Sequence, residues 1–228
     1  MRYCLFFAII IVCQFQAVAQ TRIFRAKAGE DLAQIYSRQG FYRFPQFYKA
    51  TLYFKNGNKN AGPVFNYNVL SANLQFISPT GDTLDMGNPA ALDSAVFENT
   101  VFIYQDGFYE VMGGDNSIKL LKKVTLKTQV ENIGAYGLPN STASITNMKS
   151  YSTGSSVYSL VVNQDVVLDE NTQWFFSSAG NIVKASKSNL LKLLPPDKSK
   201  KAEAYLKENK TSFEKESDLK KLMESLKS

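Results

Sequence analysis

A series of turn signals restricts this chain more than any other feature: Asn56-Gly57, Thr80-Gly81-Asp82, Asp106-Gly107 and Gly113-Gly114-Asp115-Asn116 each interrupt short runs of alternating apolar residues. Asn-Gly and Asp-Gly pairs tolerate the positive φ of tight hairpin turns, so such punctuation predicts antiparallel strands joined to their neighbours. Ala50, Leu52 and Phe54 alternate with Thr51, Tyr53 and Lys55, the period of a strand with one buried face. The pattern predicts a first hairpin of 48–55 with 63–67, then strands at 74–77, 83–86, 101–104, 108–112 and 118–126. The stretch 129–156 is dominated by Gly, Ser, Thr and Asn. It holds too little apolar surface to offset the entropy of ordering it, and reads as a mobile surface loop. Strands are predicted to resume at 158–162, 166–168, 174–177 and 182–184, with Asp169-Glu170-Asn171 and Ala179-Gly180-Asn181 as turns.

From about residue 187 to 228 the period changes to that of helices. Leu190, Leu191, Leu193 and Leu194 make a short apolar helix that Pro195-Pro196 stops, and Asp197 stands as N-cap of the next, whose apolar stripe includes Ala202, Tyr205 and Leu206. Leu219, Leu222, Met223 and Leu226 share one face of a last helix with acidic residues in its first turn. The predicted fold is therefore mainly β with C-terminal helices: an antiparallel β-meander forming a sandwich or open barrel, in a single domain spanning 20–228.

The N-terminus reads as an address. Arg2 precedes the apolar run 5–12, and Ala17-Val18-Ala19 stands before Gln20, the layout of a secretory signal peptide covering 1–19. That run is shorter than the ~20 apolar residues of a spanning helix. The expectation is an exported protein in the periplasm or at the cell surface of a Gram-negative bacterium, with peripheral membrane association left open. Both cysteines, Cys4 and Cys13, lie in this leader, and the chain has no histidine. Disulfides, thiolate nucleophiles and imidazole-based catalysis or metal binding are thereby disfavoured, and no cofactor is predicted. The formal charge of +6 comes largely from lysines interleaved with glutamates near the C-terminus. Mixed signs predict a solvated helix face and no nucleic-acid partner.

Asp82, Asp85, Asp106, Glu110, Asp165, Asp169 and Glu170 flank predicted turns; two of them at the right separation would suit glycoside hydrolysis, although Asp at hairpin turns ordinarily serves turn geometry. Aromatics crowd two segments, Phe41 to Tyr48 and Trp174 to Phe176. Flat rings on a sheet can stack on sugars, so Tyr42, Phe44 and Trp174 are candidate glycan contacts.

Several stretches resemble known families. Gly29-Glu30-Asp31-Leu32-Ala33-Gln34-Ile35-Tyr36 is similar to the opening of a LysM module, which implies peptidoglycan as a ligand. Asp82-Thr83-Leu84 and Asp93-Ser94-Ala95 are similar to the bacterial O-glycosylation acceptor, which implies modification at Thr83 and Ser94. Tyr42-Arg43-Phe44-Pro45-Gln46-Phe47, Phe54-Lys55-Asn56-Gly57, Gly81-Asp82-Thr83-Leu84 and Gly134-Ala135-Tyr136-Gly137 give the chain a likeness to a group of uncharacterised exported envelope proteins of Gram-negative bacteria. That likeness implies export and a β-rich fold without implying an activity. The leading expectation is a non-catalytic envelope protein that binds or scaffolds an envelope protein or glycan. A glycan- or peptidoglycan-binding module and a carboxylate-dependent glycoside hydrolase are the alternatives.

Overall fold

The computed structural model describes residues 23–27, 29–30, 41–130, 132–133, 139–140 and 166–227. The leader, residues 31–36 of the LysM-like stretch, most of the Gly/Ser segment and the strand expected at 158–162 lie outside the described residues.

The strands are β1 (Ile23–Ala26), β2 (Tyr48–Phe54), β3 (Lys59–Asn68), β4 (Asn73–Ile77), β5 (Thr83–Asp85), β6 (Leu92–Phe97), β7 (Thr100–Tyr104), β8 (Phe108–Gly114), β9 (Lys119–Val130), β10 (Asn132–Ile133), β11 (Pro139–Asn140), β12 (Val166–Ser178) and β13 (Asn181–Lys184). β10 and β11 pair with each other, and the other eleven form one antiparallel sheet in the order β5-β4-β3-β2-β6-β7-β8-β9-β12, with β1 and β13 along the far side of β12. Two meanders, β2–β5 and β6–β9, are thus joined through the β2–β6 pair. Of the two predicted architectures the sheet takes the open one, since it curls without closing.

The curl is visible in the packing of rings. β3 and β7 lie three strand spacings apart, about 14 Å if the sheet were flat. Yet Tyr67 of β3 stacks on Phe102 of β7 at 5.1 Å and meets Phe108 of β8 edge-on at 5.9 Å. Register shifts in the β2–β3, β2–β6 and β8–β9 pairs supply bends, because a bulge adds a residue to one strand and increases local twist. Inside the curl, Ala50, Leu52, Phe65, Leu74, Leu92, Phe97 and Phe102 form a first hydrophobic cluster.

Two expectations are corrected. Asp169-Glu170-Asn171 is not a turn: β12 runs unbroken through it, each residue paired with β9 at Lys127, Leu126 and Thr125. Asp197 is not the N-cap of its helix, which begins at Pro196 with Pro195 as N-cap and carries Asp197 in the first turn. Proline is well suited to that entrance, where its missing N–H costs nothing.

The helices are α1 (Lys187–Leu193), α2 (Pro196–Glu208) and α3 (Glu216–Leu226). Ser186 caps α1 by accepting from the Asn189 N–H at 3.2 Å. Leu219, Leu222, Met223 and Leu226 of α3 are all buried, as their spacing predicts. With Leu190, Leu194 and Ala202 they cover Ile118, Leu120, Trp174 and Phe176 in a second cluster. None of the described helices is long and apolar enough to cross a membrane.

Candidate functional site

The segment before β2 supplies the partner of Glu110, the one charged residue among the buried described residues. Tyr42 bridges to Asn68, but the register with β3 resumes only at Tyr48, so the intervening residues bulge from the pairing. Asn66, 1 % exposed, holds this bulge: its side-chain oxygen accepts from the Phe44 N–H at 3.1 Å, and its amide donates to the carbonyls of Phe44 and Gln46 at 3.0 Å each. Phe44 turns inward against Phe97 at 5.1 Å and Phe102 at 6.4 Å.

Arg43 then reaches β8. Its Nε and Nη2 donate to the two carboxylate oxygens of Glu110 at 2.8 and 2.6 Å, a bidentate pair. Glu110 is 5 % exposed, between Phe102 on β7 and Lys122 on β9. Hydrogen bonding to Glu110 raises the Arg43 pKa further above its ordinary value, so Arg43 keeps its charge. Lys122 lies 5.9 Å from the Trp174 ring centroid and 4.0 Å from Glu216 of α3, so a row of charge runs from the bulge to the helices between the two clusters. The cavity beside Arg43, Tyr67, Glu110 and Lys122 measures about 10 Å³, room for one water at most. Burial, reinforced by the charge of Glu110, pushes the Tyr67 phenol well above its usual range. With both Glu110 oxygens already accepting from one guanidinium, this arrangement suits holding strands together better than moving protons.

The other described carboxylates are dispersed, and Asp165 lies outside the described residues. Asp106 accepts from the Tyr109 hydroxyl at 2.7 Å, and Tyr109 and Glu110, successive residues of one strand, point to opposite faces. That hydrogen bond depresses the Asp106 pKa, and burial followed by the bond to Asp106 raises that of Tyr109. Asp82 accepts from Thr80 within its turn at 2.6 Å. Asp85 accepts from Gln75 at 2.7 Å. Asp115 takes the Ser117 N–H at 2.8 Å and the Ile118 N–H at 3.1 Å, closing the β8–β9 turn, and also pairs with Lys198 of α2. Lys198 and Ser117 hold its carboxyl well below the usual range.

The three candidate glycan contacts are not brought together. Tyr42 donates its hydroxyl to Gln75 at 2.7 Å and packs edge-on against Phe47 at 5.1 Å, Phe44 belongs to the first cluster, and Trp174, 5 % exposed, lies in the second. Of the two candidate acceptors, Thr83 is exposed on edge strand β5, while Ser94 is half-buried on β6 between its paired neighbours Tyr53 and Ile103. No group of three or more metal-ligating side chains forms among the described residues. A separate open groove of about 430 Å³ lies over the β2–β3 bulge, with Lys49, Gly62 and Glu98 among its walls. The Arg43–Glu110 pair leaves one signal in the sequence, Glu110 at an inward position in phase with Phe108 and Met112.

Comparison with protein-family models, with curated proteins and with solved structures finds no match to this chain.

Proposed function

We propose that the protein is a non-catalytic component of the bacterial envelope, exported and processed before Gln20, that works by binding or scaffolding. The observation that carries this reading is how its reactive side chains are employed. Arg43 and Glu110 fasten the bulge to β8, Lys198 and Asp115 fasten α2 to the β8–β9 turn, and Trp174 seats the helices on the sheet. These contacts thereby hold a fixed surface for a partner.

Fractionation and crosslinking in the native cell test this. The chain is expected in the envelope fraction, beginning at Gln20 and crosslinked reproducibly to an envelope component. An uncut cytosolic chain would overturn the proposal. So would purified protein that hydrolyses a glycan at a rate abolished by Glu110→Gln without loss of folded structure.

A further inference from the structure

The face of the sheet turned away from both clusters carries a concavity of its own. Leu52 of β2 and Phe97 of β6 point into the first cluster, so their neighbours Thr51 and Val96 point outward. Those two are paired, and Ala61 of β3 lies beyond Thr51 in the same row. These small side chains floor the open groove of about 430 Å³. The bulge keeps it open: Gly62 and Pro63 of β3 stand opposite Ala50 alone, and a Cβ on Gly62 would meet nothing within 4 Å. Lys49 and Glu98 stand at one end, both exposed, and neither forms an ion pair with a described residue. Toward the other end, next after Thr51 on the outward side of β2, is Tyr53, 43 % exposed and the one large apolar side chain strongly exposed among the described residues.

We infer that this groove binds a neutral oligosaccharide, one sugar ring stacked on Tyr53 and the hydroxyls of the next meeting Thr51, Lys49 and Glu98. This names a ligand for the binding reading above and rests on that reading. The volume is that of a small-ligand site, and a floor of small, mostly apolar side chains with a few polar groups at its rim suits a molecule with C–H faces and hydroxyl edges. From Lys49 to Tyr53 the strand runs about 13 Å, which fits a short chain of sugars better than a single ring. The walls carry one cation and one anion, so a ligand of either net charge would meet a like charge, at Glu98 or at Lys49. An extended peptide would be held by main-chain bonds along a strand edge, and β3 offers a poor edge here. Its stretch before the pairing with β4 carries Lys59 and, at the bulge, Pro63 without an N–H, features that deter strand addition. What the groove presents instead is an exposed flat ring beside hydrogen-bonding side chains with capacity to spare.

A glycan array carrying neutral, acidic and basic oligosaccharides, probed with the protein purified as the cell processes it, tests the inference. Neutral oligosaccharides are expected to retain the protein above background, and calorimetric titration with the one that retains most gives the affinity. Tyr53→Ala removes the stacking surface and should weaken that affinity roughly tenfold, while Tyr53→Phe, which keeps the ring, should leave it within about twofold. Ala61→Trp fills the groove from an exposed strand position and should abolish binding. Tyr53 and Ala61 are both exposed, so all three variants should keep the parent's denaturation midpoint, which separates loss of ligand from loss of fold. No neutral glycan above background, retention by acidic or basic glycans alone, or an affinity that Tyr53→Ala and Ala61→Trp leave unchanged would each overturn the inference. A blank array beside an envelope crosslink that persists in Ala61→Trp would leave the scaffolding proposal standing while the glycan groove fell.

Discussion

Replacing Arg43 by Met leaves Glu110 buried without its counter-charge. Deleting one partner of a buried ion pair costs about 3–5 kcal/mol, because the remaining charge is neither hydrated nor paired. Arg43 is 36 % exposed on its side chain, so water can reach part of the vacated space and the lower end applies, about 3 kcal/mol. For a chain of this length that is a fall of roughly 10 °C in Tm. Glu110→Leu on the same background removes the stranded charge, fills the site with apolar atoms and should return stability to within about 1 kcal/mol of the parent. Urea unfolding of the parent, both single variants and the double variant, followed by circular dichroism, yields the coupling energy, expected to be at least about 2 kcal/mol. If Arg43→Met costs less than about 1 kcal/mol, or if the double variant is as unstable as the single, the pair is not what closes the bulge onto β8.

Gly114 has φ +115°, and a Cβ there would lie 2.2 Å from the Ile118 carbonyl oxygen, so Gly114→Ala must pry open the β8–β9 turn. Combined strain and clash should cost at least about 2 kcal/mol, whereas alanine at Gly87, where a Cβ meets nothing within 4 Å, should leave the denaturation midpoint nearly unmoved. The depressed carboxyl of Asp115 stabilises the fold above its ordinary pKa of 3.8, and that contribution is lost as pH falls through the lower folded-state value. The difference in Tm between parent and Asp115→Asn should therefore shrink steadily from pH 5 down toward pH 2; a difference that grows would contradict the assignment. Leu222→Ala empties a fully buried position of the second cluster and should cost about 3 kcal/mol. Trp174, the sole tryptophan, lies in that cluster and should report the loosening by a red-shifted emission.

The strands bounded by Asn-Gly and Asp-Gly turns were legible because their signal is local: turn chemistry at the ends and alternation between. β6 is hidden where Asp93 and Ser94 interrupt the apolar rhythm just after Pro89, and β12 reads as two strands because Asp169-Glu170-Asn171 has the composition of a turn. In both places pairing with neighbours outweighs local preference; the three polar residues of β12 simply continue a register shared with β9. Strand order was equally hidden, since nothing in residues 86–91 announces that β6 returns to lie beside β2 rather than β5. The Arg43–Glu110 contact joins positions 67 residues apart, and only its acidic half left a trace in the periodicity. The spacing of Leu219, Leu222, Met223 and Leu226 announces a stripe that docks on the sheet, as it does, but nothing local tells that Trp174 and Phe176 lie beneath it.

Strand β9 carries Leu120 under the helices and Val124 under the aromatic curl, four positions apart on one side of the same ribbon. It works as a common beam, fastened to β12 at twelve successive positions, so the two oily masses it supports cannot separate without shearing the whole length of that joint. The two ends should therefore unfold together, and a calorimeter should record a single endotherm for both. A partner that grips the helical end should then slow hydrogen exchange at the far one as well.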